Sequence, residues 1–412
     1  MASVSEERRW LPFLALETAT VFSGTANGVS MIVFPWLVLE RTGSASAAGA
    51  LGAITALPLL VSFLFAGVFV DMVGRRRVAV VSDLLSMTSV ALVPILGARF
   101  DLGFAALAAL AVLGAIFDPA GISAREAMLP EAARAAGLRL ERANGIHEAV
   151  WGGAYLIGPG VGGLAIGFLG AATTFWVSAA MFALGALTMF VVRVPGAGRP
   201  PEHERPSGVW VSTKAGISFV WNDRVLRTVA LVSMVIVGFW LPIEGVVLPV
   251  YFEGRGEPGR LGVTVMALAL GGIIGALIYG AVGHRYGRRL AFSLSMTATG
   301  FAVLGMALLP SYGLLLGFSI LAGLFYGPVG PLVNLMIQHR APGAMRGRVV
   351  GLLTSAAYVS GPIGYLISGP MVEYLGLQQA FLIMATGVCA VGLWSWFLPS
   401  LKGMDDTSGI AE

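Results

Sequence analysis

Gly67-Val-Phe-Val-Asp71-Met-Val-Gly74-Arg75-Arg76-Arg77 interrupts two long apolar runs with one carboxylate, one turn glycine and three arginines. It reads as a tight cytoplasmic loop between two membrane helices. The spacing returns 213 residues later as Gly280-Ala-Val-Gly-His284-Arg-Tyr-Gly287-Arg288-Arg289, so the chain reads as a duplicated unit. Small residues let two helix ends approach closely and charges clamp them, which suits a gate with two states. His284 stands where the first copy has Asp71, so the two loops are chemically unequal.

Of the 412 residues, 57% are hydrophobic and only 12% are charged. A mean hydropathy of +0.83 excludes an ordinary soluble domain. Twelve apolar runs lie near 11–39, 46–70, 78–98, 102–122, 146–168, 171–192, 226–252, 261–283, 290–310, 312–336, 349–369 and 378–398. Each suits a hydrocarbon core about 30 Å thick, which takes about 20 helical residues. Barrel strands show about ten alternating residues instead. The expected fold is an all-α membrane protein of twelve transmembrane helices in two six-helix pseudo-symmetric halves. The halves are expected over 1–194 and 226–399, joined by a cytoplasmic linker and interfacial helix over 195–225 and followed by a cytoplasmic tail over 400–412. Pro195–Gly208 is proline-rich and aperiodic, and Val209–Asp223 reads as an amphipathic helix with Trp210 and Trp221 as anchors.

The net charge of +4 does not point to nucleic acid, because 22 of the 26 Lys and Arg fall on one side of the alternating loops. Only Arg41, Arg99, Arg255 and Arg260 fall on the other. By the positive-inside rule both termini are cytoplasmic, in a multi-pass protein of the cell membrane. The one cysteine, Cys389, excludes an internal disulfide and any multi-cysteine metal site. No GxxxxGK, GxSxG or HExxH occurs, so neither ATP-driven nor hydrolytic chemistry is expected. No cofactor or metal is expected; the proton gradient is the energy source.

Acids inside apolar runs are costly and usually serve transport. Glu244 lies 17 residues beyond Arg227, roughly 25 Å along a helix axis, with no cation near it in sequence. Protonation is the obvious remedy, so Glu244 is the leading proton or cation site. Glu17 is the second proton-coupling candidate, facing the interior or snorkelling to the inner surface. Asp83 and Asp118 are expected to pair with Arg75, Arg76 and Arg77. The gating set is therefore Gly67, Asp71, Gly74, Arg75, Arg76, Arg77, Asp83, Asp118, Gly287 and Arg288. Ser123–Asn144 reads as a cytoplasmic connector, with a short interfacial helix from Pro130 to Arg142. Asn27, Trp36, Trp240, Glu244, Tyr251 and Asn334 are candidates to line a substrate cavity, the aromatic rings offering stacking faces.

The first loop resembles the cytoplasmic signature loop of the major facilitator superfamily. Gly158-Pro159-Gly160-Val161-Gly162-Gly163 formally matches GxGxxG, but no strand precedes it and no soluble βαβ unit follows, which excludes a nucleotide site. It resembles the antiporter signature in the fifth helix of drug exporters, here carried by Gly158, Pro159, Gly162 and Gly163. Glycine packing in any transporter would look the same. The theme repeats as Gly361-Pro362-Ile-Gly364. Phe34-Pro-Trp-Leu-Val-Leu39, Ser123-Ala-Arg-Glu-Ala-Met-Leu-Pro-Glu131, Phe219-Val-Trp-Asn-Asp-Arg-Val-Leu-Arg227 and Gly347-Arg-Val-Val-Gly351 are similar to Tap-type multidrug efflux pumps, a branch of the drug/proton antiporters. That resemblance implies efflux of amphipathic antibiotics, such as tetracyclines and some aminoglycosides, against inward proton flow by a monomer. The chain departs from it in two places. No arginine lies between Arg99 and Arg125 in the fourth run, and Asn27 stands where such pumps tend to have an acid. An exporter of an endogenous amphiphile such as a siderophore or lysolipid, and a non-transporting membrane receptor, are the alternative readings.

Overall fold

A computed structural model of the protein describes residues 9–191, 209–341 and 346–405, and the regular elements among them are helical. They are α1 (Leu11–Thr42), α2 (Ala45–Val73), α3 (Arg75–Gly97), α4 (Phe104–Ala135), α5 (Leu140–Leu169), α6 (Ala171–Val191), α7 (Val209–Asn222) and α8 (Arg224–Pro242). A π-helical turn (Ile243–Val247) then leads into α9 (Leu248–Glu253), α10 (Pro258–Val282), α11 (Arg288–Ala307), α12 (Tyr312–Tyr326), α13 (Val329–Arg340), α14 (Arg346–Leu375) and α15 (Leu377–Ser395). Ten helical stretches among the described residues are long and apolar enough to cross a membrane, α8 to α9 and α12 to α13 each counting once. The helices α2 and α14 are 29 and 30 residues long, which completes the expected twelve. The linker Pro195–Gly208 lies outside the described residues.

Contacts divide the chain into two compact units. Unit one is Met1–Phe34 with Pro58–Ser207, and unit two is Pro35–Leu57 with Gly208–Glu412. The boundaries inside α1 and α2 fall at Pro35 and Pro58, the prolines those helices carry. Proline removes one backbone hydrogen bond and loosens a helix at that point. Each unit has its own core: one gathers around Leu16, Met128 and Met189, the other around Leu226, Phe292 and Leu332.

Within each unit glycines set the helix spacing. A Cβ on Gly28 would lie 2.8 Å from the Gly158 Cα, so α1 and α5 touch backbone to backbone. In unit two a Cβ on Gly364 would collide with the Gly238 carbonyl oxygen, the corresponding seam between α8 and α14. The repeated Gly-Pro theme is thus a packing seam in both copies.

One expectation needs correction, and two helices depart locally from regularity. The connector Ser123–Asn144 is mostly helix: α4 runs through Pro119 and Pro130 to Ala135, and α5 begins at Leu140. Alanine-rich sequence favours continuation. The stop comes at Gly137, whose φ of +67° closes a Schellman turn in which Leu138 N–H donates to the Ala133 carbonyl at 2.9 Å. No separate interfacial helix spans Pro130 to Arg142. The tenth run is broken at Gly327-Pro328 between α12 and α13. The seventh widens into the π-turn just before Pro249, where Leu248 N–H reaches back five residues to the Ile243 carbonyl. A proline ring crowds the carbonyl four residues behind it, and a wider turn relieves that crowding.

Candidate functional site

Unit one gives its buried acids partners from within the chain. Arg125 Nη1 donates to both Asp83 oxygens at 3.1 and 3.2 Å, and Ser23 Oγ donates to Asp83 Oδ1 at 2.9 Å. Both Asp83 and Arg125 are buried. Asn27 Nδ2 donates to Asp118 Oδ1 at 2.8 Å, and Asp118 lies within electrostatic reach of Arg125 and Asp83. Glu17 does not snorkel: it is buried, with both oxygens 3.2 Å from Nδ1 of buried His147.

The expected pairing of Asp83 and Asp118 with the loop arginines is therefore wrong. A cation counted as a loop charge, Arg125, lies within the continued α4 and reaches Asp83 first. Arg75 instead bridges to Glu131 at 3.2 Å. Arg76 donates from Nε to the Met189 carbonyl at 2.9 Å and from Nη2 to the Phe190 carbonyl, neutralising the carbonyl end of α6. Arg77 is exposed. Gly74 alone joins α2 to α3, at φ +105°. The side chains of Gly67, Asp71 and His284 lie outside the described residues.

In the second copy of the loop the glycine does other work. Gly287 has φ −60°, and a Cβ there would meet Asp405 Oδ1 at 3.3 Å. Asp405 also accepts from the Arg289 backbone N–H at 3.3 Å, and Arg289 Nη2 donates to the Trp396 carbonyl at 2.7 Å. Arg288 Nη2 lies 3.1 Å from His339 Nε2. A carboxylate from the C-terminal segment thus faces the loop whose sequence carries His284.

Glu244 sits in the π-turn. Trp240 Nε1 donates to its Oε1 at 2.8 Å, and the indole stacks on Tyr326 with centroids 5.4 Å apart at 14°. Tyr326, Tyr358 and Tyr365 lie within its electrostatic reach, and the Tyr365 ring packs so closely on Gly245 that a Cβ would come within 2.7 Å. Among the described residues no cation bonds this carboxylate.

The family model of the Major Facilitator Superfamily matches residues 16–267 and 245–408. The chain belongs to that superfamily. This facilitator is 43% identical over 397 residues to the multidrug efflux pump Tap of Mycolicibacterium fortuitum, covering 96% of this chain and 97% of that one. It is 41% identical to Tap of Mycobacterium tuberculosis strain H37Rv, covering 96% and 95%. It is 22% identical to macrolide efflux protein A of Streptococcus pyogenes, covering 95% and 98%. Among solved structures, a point mutant of the nucleoside transporter NupG superposes with a TM-score of 0.79 at 14% identity, covering 94% of this chain and 99% of that one. The likeness to NupG concerns fold. A major facilitator of the Tap type is a multi-pass membrane transporter for a small molecule, not an enzyme.

The remaining candidates of this facilitator are scattered. Trp240 and Glu244 come together, whereas Asn27 is committed to Asp118. Trp36 and Tyr251 are buried, and the Arg255 guanidinium lies 3.8 Å above the Tyr251 ring. Asn334 is exposed on α13. Gly158 and Gly162 meet α1 at Gly28 and Val29, Pro159 meets Gly28, and Gly163 is buried. Sequence reasoning missed Arg125, His147, Tyr326, Tyr358 and Tyr365. Arg125 and His147 lie 42 and 130 residues from their acids, so no local pattern joins them.

Proposed function

We propose that the chain expels amphipathic drugs across the cell membrane in exchange for protons, with Glu244 as the group the two cargoes share. The observation that carries this reading is the neutral company of that acid. Asp83 and Glu17 face a guanidinium and an imidazole, while Glu244 has an indole N–H and nearby phenols. A carboxylate held away from protein cations in a low-dielectric site needs a positive charge from elsewhere. A proton supplies it in one half of the cycle and a cationic drug in the other. The Trp240–Tyr326 stack gives such a drug an aromatic face beside the charge.

The relatives named as multidrug efflux pumps support the direction and the kind of cargo. The repeated loops and the two glycine seams suit two related halves that alternate access to a midplane site. The charge bias of the loops supports cytoplasmic termini. The Asp83–Arg125–Asp118 cluster and Glu17–His147 serve as fixed supports of unit one in this cycle.

The test is drug-dependent proton movement in proteoliposomes under an imposed pH gradient, across a panel that includes tetracycline. Wild type is expected to exchange protons for drug, and a folded Glu244→Gln protein to lose the coupling. Normal exchange by that variant would move the proton site to Glu17. No exchange by wild type across the panel would overturn the reading.

A further inference from the structure

Unit two holds an apolar cavity of about 310 Å³ that the transport reading does not use. It lies where two helices depart from regularity. The helix α10 ends in the 3-10 turn Gly283–Arg285, and Leu324, Phe325 and Pro328 at the α12–α13 break line the cavity as well. Tyr279, Leu290, Ala291 and Phe325 line it, and its outer wall is formed by side chains such as Ile278 and Leu294 that are exposed in the protein alone. In a bilayer that wall faces hydrocarbon.

The charges at its mouth are specific. Of the three arginines in the second loop, Arg288 meets His339 and Arg289 meets Asp405 and the Trp396 carbonyl. Arg285 lies between the lining residues Gly283 and Tyr286, is exposed, and has no ion pair among the described residues. An apolar cavity does not hold water well. An unmatched guanidinium beside it favours an anion that brings its own hydrocarbon.

We propose that this cavity binds an acyl chain of an anionic phospholipid from the leaflet on the loop side, with Arg285 meeting the headgroup phosphate. Chain and headgroup are recognised together. Basic pockets between membrane helices on the cytoplasmic side select acidic headgroups in this way. The bound lipid fills the gap between α10, α11 and the broken α12–α13 helix beside the second loop, so it sits where that loop's geometry is set.

The experiment is native mass spectrometry of the full chain taken from bilayers of equal phosphatidylcholine and phosphatidylglycerol. Wild type is expected to retain phosphatidylglycerol in preference to phosphatidylcholine. Arg285→Gln should lower that retention about fivefold, the worth of one basic residue at an anionic surface. Ala291→Trp, which fills the cavity, should remove it. Because Arg285 is exposed, its substitution tests the site without disturbing the packing. Equal retention of both lipids by wild type, or phosphatidylglycerol retention unchanged in either variant, overturns the proposal.

Discussion

The two units treat the acids inside their helices in opposite ways. In unit one, Asp83 is closed by Arg125 and Ser23, Asp118 by Asn27, and Glu17 by His147. In unit two, Glu244 is held by Trp240, with tyrosines within its electrostatic reach. A closed ion pair contributes rigidity and has little capacity left for a cargo. An acid held only by neutral donors keeps its demand for positive charge, and a proton or drug can meet it. On the proposed exchange, this contrast makes unit one the support and unit two the seat of coupling.

The largest expected effect tests the closed pairs. Arg125→Gln strands Asp83 as a buried charge and should lower stability by about 3–5 kcal/mol, read as thermal unfolding in detergent. Adding Asp83→Asn should restore most of it. Glu244→Gln should leave stability nearly unchanged, because the amide still accepts from Trp240 and no cation is orphaned. If both single variants destabilise equally, the contrast between the units fails.

Smaller effects sharpen the comparison at the glycines. Gly364→Ala drives a Cβ into the Gly238 carbonyl oxygen, and overpacking of this kind should cost about 1–3 kcal/mol. Gly361→Ala meets only the flexible end of Leu241 and should cost less in the same unfolding assay. Gly74→Ala places a side chain at φ +105°, at about 1–2 kcal/mol, whereas the repeat-related Gly287 at φ −60° carries no such penalty. Equal losses at the two loop glycines would show that both copies depend on the same conformation.

The smallest effect is pH-dependent and belongs to unit two. Glu373 lies past the apolar run 349–369, where it accepts from Ser44 Oγ, Ser46 Oγ and Ser46 N–H at 2.6, 2.6 and 2.9 Å. These donors hold its carboxyl below the ordinary range. A depressed folded-state value stabilises the protein above the unfolded carboxyl value, and that stabilisation fades as pH falls through the folded one. The melting temperature of wild type should therefore drop toward that of Glu373→Gln on acidification, and parallel curves would contradict the contact.

The expectations that held were those written in local chemistry. Twelve apolar runs must bury their backbone groups as helices in hydrocarbon. A glycine between Val73 and Arg75 makes a tight turn, and the recurring Gly-Pro clusters pack helices closely. The expectations that failed concerned partners. Sequence proximity pointed Asp83 and Asp118 toward Arg75–Arg77, but the continuation of α4 carried Arg125 to Asp83 instead.

The helical membrane fold, the repeated loops and the placement of Glu17 and Glu244 within apolar runs are legible in the sequence, because hydropathy, charge placement and spacing are written along the chain. Which acids are neutralised and which remain open follows from the packing of helices far apart in the chain. Pairing energy depends on distances between side chains on different helices, and those distances are fixed by how the helices pack, as at the close seams Gly28–Gly158 and Gly238–Gly364.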